Sequence, residues 1–115
     1  MVDKRSQADR LLVAELFGEA RHHAGWRDLT ADEEAAAVAA LRKLAAGRAD
    51  LLAEVAGLSL GTSEGKGLEY AVRGQTVARL CRLAGADPEA IPAWIEVGRE
   101  RRANAGRPPF SGGPR

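Results

Sequence analysis

The chain has 115 residues, 45% of them hydrophobic and 29% charged, and its 17 Lys and Arg are nearly balanced by 16 Asp and Glu. This length and composition predict one globular domain with a core of its own, and they exclude a disordered chain and a strongly basic, polyanion-binding one. The single cysteine excludes an intrachain disulfide, and no apolar run approaches the roughly 20 residues of a membrane span, so we expect a cytoplasmic protein with no membrane segment.

Alanine is the most informative residue type, with 23 copies against only 4% aromatic residues. Alanine has the lowest free-energy cost in a helix, whereas strands favour β-branched and aromatic residues. The composition therefore predicts an all-α fold, a compact bundle of four to five helices. We expect one helical domain over residues 1–105, followed by a flexible tail rich in proline, glycine and arginine over residues 106–115.

Capping residues mark the starts of the first two helices. Ser6 is suited to cap helix 1, which should end near Gly25. The stretch from Thr30 to Glu33 has the pattern of a capping box, in which the threonine hydroxyl and the glutamate carboxylate each bind an otherwise unpaired backbone N–H group. Helix 2 should begin there and end with Gly47 just beyond its last turn; the alternative is a kinked continuation past this glycine. Its predicted core face consists of Ala37, Val38, Leu41, Leu44 and Ala45.

The stretch from Gly57 to Gly67, GLSLGTSEGKG, contains four glycines. We interpret it as a packing element in a third helix that begins near Ala49. Small residues then recur at every fourth position, which leaves one flank of the helix almost without side chains and lets a neighbouring helix approach closely. The alternative is a helix that ends at Gly57, followed by a flexible loop over residues 58–66. The residues of this small flank are Ala49, Ala53, Gly57, Gly61 and Gly65.

Two binding motifs compete with this interpretation. A phosphate-binding loop follows a strand and places a hydroxyl residue after its lysine, whereas here the preceding pattern is helical and Lys66 is followed by Gly67. Residues 52–59 resemble the first helix and turn of a helix-turn-helix, but the glycines that follow would interrupt the recognition helix. A degenerate helix-turn-helix around residues 50–66 therefore stays as an alternative.

The second half of the chain predicts two more helices. Residues 68–84 fit helix 4. Pro92 lacks a backbone N–H group, so we place a short helical turn at 88–91 and helix 5 from Pro92 to about residue 104. We expect helices 3 and 4 to form the close-packed centre, with Trp94 and Ile95 of helix 5 closing one side.

No complete catalytic or metal site is recognisable. Glu19 and His22 have the Glu-x-x-His spacing of di-iron carboxylate helices, but such a site needs two of these motifs and two further glutamates. Cys81 lies among apolar helical positions with no histidine within helical reach, which is typical of an inert, buried thiol. We therefore predict a protein that is not an enzyme and that has no cofactor and no metal.

Arginines towards the C-terminus are the candidates for nucleic-acid contact. From residue 101 onward the chain has four arginines and no acidic residue. A basic segment can bind phosphates, but four arginines make a small electrostatic footprint, and arginines at a helix C-terminus also complement the helix dipole. The candidate contacts are Arg99, Arg101, Arg102 and Arg107.

Two segments, GRADLLAEVAGLSLGTSEGKG and AGADPEAIPAWIEVGRERR, carry a resemblance to a known group of proteins. Over residues 30–105 the chain resembles small, functionally uncharacterised helical proteins that are common in the high-GC genomes of Streptomyces-like actinomycetes. The resemblance implies an intracellular bacterial protein and no particular activity.

The function that the sequence favours is a non-catalytic protein-interaction module. A chain this rich in alanine has few large apolar residues. We therefore expect a partner to cover the apolar faces that its own helices leave exposed. That partner is a second copy in a homodimer, or another protein. The alternative function is a small DNA-binding regulator that uses residues 50–66 or the arginine-rich C-terminus.

Overall fold

The computed structural model describes residues 6–25 and 27–105 of the chain. These residues form five helices and no strand, so the predicted all-α class and the predicted bundle of four to five helices are confirmed. The predicted tail at 106–115, with Arg107, lies outside the described residues. The helices are α1 (Gln7–Ala24), α2 (Ala31–Ala45), α3 (Ala49–Ser63), α4 (Leu68–Leu83) and α5 (Ile91–Ala105).

Local capping interactions set the starts of α1 and α2, as the sequence predicts. Ser6 Oγ accepts a hydrogen bond of 3.1 Å from the backbone N–H of Asp9. At α2 both bonds of the capping box are present: Thr30 Oγ1 accepts from the N–H of Glu33 at 3.1 Å, and Glu33 Oε1 accepts from the N–H of Thr30 at 2.9 Å. Each bond satisfies a donor that has no partner within the helix.

The chain reverses sharply between α2 and α3, so α2 does not continue past Gly47 as a kinked helix. Ala46 and Gly47 both have positive φ, at 50° and 86°. The next residue, Arg48, fixes the new direction, because its guanidinium donates to Asp9 Oδ1 at 2.9 Å and to Asp50 Oδ2 at 3.0 Å. This bridge joins the first turn of α1 to the first turn of α3.

Helix α3 is the centre of the fold. Every residue from Leu51 to Ser59 is buried, and the helix contacts all four other helices. Among the described helices, α5 packs on α3 alone, whereas α1 also contacts α2 and α4. The core is built around α3. Its largest fully buried side chains are Leu16, Leu41, Leu51, Leu52, Leu80, Val55, Val77 and Cys81.

Helix α5 starts one residue earlier than the sequence predicts. Residues 88–90 form a turn, and Ile91 is already the first residue of the helix. Pro92 is therefore accommodated within the first turn, where a backbone N–H group has no partner in the helix. Asp87 anchors the turn, because its N–H donates to the carbonyl oxygen of Ala49 at 3.1 Å and its Oδ1 accepts from the N–H of Glu89 at 3.0 Å.

The helix-turn-helix alternative for residues 50–66 is wrong in its geometry. Residues 49–63 form one continuous helix with no turn at Gly57, and the middle of that helix is buried. The same finding overturns the loop alternative for residues 58–66 as far as Ser63. Within the described part of the chain, no helix combines the length and the apolar character that crossing a membrane requires.

Candidate functional site

The small flank of α3 lies against α5. A Cβ atom placed on Gly57 would be 2.7 Å from the carbonyl oxygen of Ile91, and closer still to Trp94 Cβ. A Cβ atom on Gly61 would be 2.8 Å from the backbone nitrogen of Arg99. Real Cβ atoms essentially never make contacts this short, so both positions hold α3 and α5 at a separation that only glycine permits.

The partner helix contributes a glycine of its own at the same crossing. A Cβ atom on Gly98 would lie 3.0 Å from Gly61 Cα and 3.0 Å from the carbonyl oxygen of Leu58. We expected helices 3 and 4 to form the closest-packed pair, but the small flank faces α5. The reason is that α5 supplies a second side-chain-free position opposite Gly61.

The remaining small-flank residues have different roles. Ala53 is fully buried and Ala49 is half-buried at the start of α3. Gly65 lies outside the helix, which ends at Ser63, and has a φ of 75°. A Cβ atom there would be 3.1 Å from the guanidinium of Arg102. Gly57 and Gly61, the part of the small flank that faces α5, therefore form an internal packing surface covered by the same chain.

Of the candidate nucleic-acid contacts that the structure describes, Arg99 is engaged by two carboxylates. Arg99 Nε donates to Glu64 Oε1 at 2.9 Å, and a second nitrogen of Arg99 contacts Glu96. The hydrogen bond from this guanidinium lowers the pKa of the Glu64 carboxyl. Arg101 is exposed, Arg102 is half-buried beside Gly65, and Arg107 lies outside the described residues.

The candidate metal and thiol residues remain isolated. His23, rather than the His22 of the Glu-x-x-His spacing, pairs with Glu19, with 2.8 Å between Nε2 and Oε2. No group of three or more His, Cys, Asp or Glu in residues 6–25 and 27–105 is placed to hold a metal ion. Cys81 is fully buried, and this burial raises the pKa of its thiol to about 12, so it stays protonated and unreactive at neutral pH.

The outer side of α2 forms a shallow groove of about 320 Å³ with the end of α4, which we call the α2 face. One row of residues along α2 has alanine at every fourth position, from Ala31 to Ala39. The adjacent row begins with the acidic Glu34 and ends with the basic Arg42. Arg79 Nε of α4 donates to Glu34 at 2.7 Å, and Arg42 donates to the carbonyl oxygen of Leu83 at 2.9 Å. The lining residues are Ala31, Glu34, Ala35, Val38, Ala39, Arg42 and Leu83.

A second cavity, of about 250 Å³, lies between α1, α3 and α4, and we call it the α1–α3–α4 pocket. No sequence pattern predicts this pocket, because its residues come from three separate helices and the loop before α4. A signal was present in the sequence: α3 is apolar but has Ser59, Thr62 and Ser63 in its last turns. The lining residues are Arg21, Ser59, Thr62, Ser63, Lys66, Tyr70, Arg73, Gly74 and Val77.

Gly74 brings the two long walls of this pocket together. A Cβ atom on Gly74 would lie 2.9 Å from the carbonyl oxygen of Ser59 and closer to Ser63 Oγ. α4 therefore approaches the polar end of α3 directly, where the hydroxyl groups of α3 line the cavity.

Comparison of the chain with protein-family models, with curated proteins and with solved structures found no match.

Proposed function

We propose that this protein is a non-catalytic interaction module that forms a homodimer, with the α2 face of one copy packed antiparallel on the α2 face of a second copy. The observation that carries the proposal is the composition of this face. Its alanine row consists of Ala31, Ala35 and Ala39, all exposed at one side of α2. Small exposed residues at four-residue spacing let a second helix approach closely over several turns.

The charges on the face favour a second copy over an unrelated partner. Val38 is midway between Glu34 and Arg42 in sequence, and all three lie on the row beside the alanines. In an antiparallel pair with its two-fold axis near Val38, Glu34 of each copy comes opposite Arg42 of the other. Such an isologous contact is self-complementary and closes at two subunits.

The size of the face sets the expected affinity. A helix of 15 residues, the length of α2, extends about 22 Å, so the pair would cover a modest area, with Leu83 of α4 widening it. Leu83 is 41% exposed and so offers apolar area beside the alanine row. Specific interfaces bury about 1,200–2,000 Å² in total, and we expect this dimer to lie at the lower end and to dissociate in the micromolar range.

The test is sedimentation velocity or light scattering over a concentration series from low to high micromolar. We expect the mass to rise from one chain to two with increasing concentration. Ala39→Glu puts a charge into the centre of the contact in both copies and should keep the protein monomeric throughout the series. In the monomer this glutamate is exposed and is four residues before Lys43, which favours the helix.

Ala36→Glu is the matched control, because Ala36 is exposed on the same helix but lies outside the α2 face. It should leave the dimer intact, and circular dichroism should show that both variants remain helical. A wild-type protein that stays monomeric at high micromolar concentration would exclude the proposal. Equal loss of dimer in the two variants would exclude this face as the interface.

The DNA-binding regulator has less support in the described residues. Residues 49–63 form one helix with no turn at Gly57, and Arg99 is engaged by Glu64 and Glu96.

A further inference from the structure

We infer that the α1–α3–α4 pocket binds a small phosphorylated polyol, with its phosphate group on the cationic wall and its hydroxyl groups on the end of α3. This inference is independent of the proposed dimer, since the α2 face and the pocket share no residue.

Three cationic side chains line the pocket, and no acidic residue of the described chain is among the lining residues. They are Arg21 from α1, Lys66 from the loop before α4, and Arg73 from α4. The whole chain has a formal net charge of only +1, so three positive charges in one concave site are a local concentration. Two guanidinium groups and an ammonium group match a phosphate dianion better than a singly charged carboxylate.

One of these cations is held in place by the backbone. Arg73 donates from Nη2 to the carbonyl oxygen of Arg21 at 3.2 Å, in the last turn of α1. This bond connects α4 to α1 across the pocket and orients the guanidinium. A fixed donor loses less conformational freedom when a ligand binds.

A buried hydroxyl group in the lining of the pocket is the second observation that points to a ligand. Ser59 is only 5% exposed, and its Oγ has no hydrogen-bond partner. Buried polar groups in proteins are nearly always hydrogen-bonded, because an unpaired one loses its hydration without compensation. A phosphate oxygen in the pocket would accept the hydroxyl proton of Ser59.

The other two hydroxyl groups define the organic part of the ligand. Thr62 Oγ1 donates its proton to the carbonyl oxygen of Leu58 at 2.7 Å, and Ser63 Oγ donates to that of Leu60 at 3.3 Å. Because both hydroxyl protons are already donated to backbone carbonyl groups, the two hydroxyl oxygens can only accept hydrogen bonds from a ligand in the pocket. A phosphate dianion has no proton to give, whereas the hydroxyl groups of a polyol do. The cavity volume of about 250 Å³ limits the ligand to a small molecule.

The geometry also separates this ligand from a nucleic-acid backbone. A phosphodiester carries a single negative charge and has substituents on both sides, whereas a terminal phosphate monoester is dianionic near neutral pH and can enter a concave site from one side. We therefore expect a terminal phosphate group to bind.

The experiment is a calorimetric titration of the full chain with glycerol 3-phosphate. Inorganic phosphate, glycerol and acetate serve as comparison ligands, and a short duplex oligonucleotide without terminal phosphates tests the phosphodiester. We expect saturable binding of glycerol 3-phosphate, severalfold weaker binding of inorganic phosphate, and no binding of glycerol, acetate or the oligonucleotide at the same concentrations. Arg73→Gln should weaken the binding at least tenfold.

Ser59→Ala distinguishes a ligand-binding role from a structural one. It should weaken the binding of glycerol 3-phosphate severalfold while leaving the melting temperature of the free protein unchanged or higher, because an unpaired buried hydroxyl is removed. Thr76→Val is the matched control. Its hydroxyl donates to the carbonyl oxygen of Val72 at 3.0 Å, outside the pocket lining, and its loss should not change the affinity.

Three results would overturn the inference. They are the absence of binding by glycerol 3-phosphate at millimolar concentration, equal losses of affinity in Ser59→Ala and Thr76→Val, and binding of the oligonucleotide as tight as that of the monoester. A protein that fails to dimerise but binds the monoester leaves the inference intact, so the two proposals fail separately.

Discussion

At the scale of single residues, the glycines inside the described helices are of two kinds. Gly57, Gly61 and Gly98 each lie within the backbone-to-backbone contact of α3 and α5, where a Cβ atom has no room. Gly18 lies in the middle of α1, and a Cβ atom there would meet nothing within 4 Å. A glycine costs helix stability at both kinds of site, but only the first kind recovers this cost through packing.

Gly61→Ala and Gly18→Ala should therefore change stability in opposite directions. Gly61→Ala adds a methyl group that meets backbone atoms of Ile95 and Arg99, which cannot rotate away, so α5 must shift. We expect a loss of about 2 kcal/mol or more in the free energy of unfolding, after the gain in helix propensity is counted. Gly18→Ala should raise the same quantity by about 0.5–1 kcal/mol.

Urea denaturation of the two variants and the wild type measures both effects. A neutral or stabilising Gly61→Ala would mean that α3 and α5 do not pack in backbone-to-backbone contact at this position. Gly18→Ala shows in the same experiment how large the propensity effect is without a clash.

At the scale of an element, the start of α2 combines a capping box with an ion pair. Glu33 accepts from the N–H of Thr30 and also pairs with Arg27, whose Nη1 donates to Glu33 Oε1 at 2.9 Å. These two hydrogen bonds lower the pKa of Glu33 to about 2. The bond from Arg27 has the larger effect, and the bond from the backbone of Thr30 comes second. A carboxyl group with a lowered pKa in the folded state stabilises the fold while it is ionised.

Glu33→Gln should make this contribution visible through its pH dependence. Glutamine can keep the bond to the N–H of Thr30 but loses the charge that pairs with Arg27. The folded-state pKa is lowered from 4.5, so the contribution is fully present above that value and is lost as the pH falls towards about 2. We expect the variant to be less stable than the wild type at pH 7 and the difference to shrink over that interval.

Thermal unfolding followed by circular dichroism at a series of pH values measures this difference. A stability difference that is constant from neutral to acidic pH would show that the ionisation of Glu33 does not contribute. Thr30→Ala is a useful comparison, because it removes the hydroxyl cap while leaving the ion pair of Glu33 with Arg27, with an expected cost of about 1 kcal/mol.

At the scale of the whole molecule, the proposed dimer makes a prediction about two charges on different copies. With the two-fold axis near Val38, Glu34→Arg places like charges opposite each other twice, and so does Arg42→Glu. Each variant alone should remain monomeric at concentrations where the wild type is a dimer. Mixed in equal amounts, the two variants should form a heterodimer, because each arginine at 34 or 42 then faces a glutamate.

Sedimentation velocity with one variant carrying a fluorophore detects the heterodimer directly. Both substitutions also change contacts within one chain, since Glu34 pairs with Arg79 and Arg42 contacts the carbonyl oxygen of Leu83. Those intramolecular losses persist in the mixture, so they cannot produce a recovery of association. A mixture that stays monomeric would contradict the antiparallel arrangement even if the wild type dimerises.

The sequence by itself determined the features that depend on neighbours within about one helical turn. The start of α2 follows from Thr30 and Glu33, which are three residues apart, and its end follows from Gly47, which tolerates a positive φ. The all-α class follows from alanine content for the same reason, since helix propensity is a local property.

Only the tertiary structure decided which surfaces meet. Residues of the small flank lie four apart in sequence, but the residues of α5 that cover Gly57 and Gly61 lie more than 30 positions away. The sequence could therefore predict the flank but not which helix packs against it. The α1–α3–α4 pocket depends on Arg21, Ser59, Lys66 and Arg73, which no local spacing connects. Packing between helices decided both the covering of the small flank and the shape of the pocket. α5 packs closely on α3 because that flank of α3 has almost no side chains, and α4 approaches the polar end of α3 because Gly74 has none.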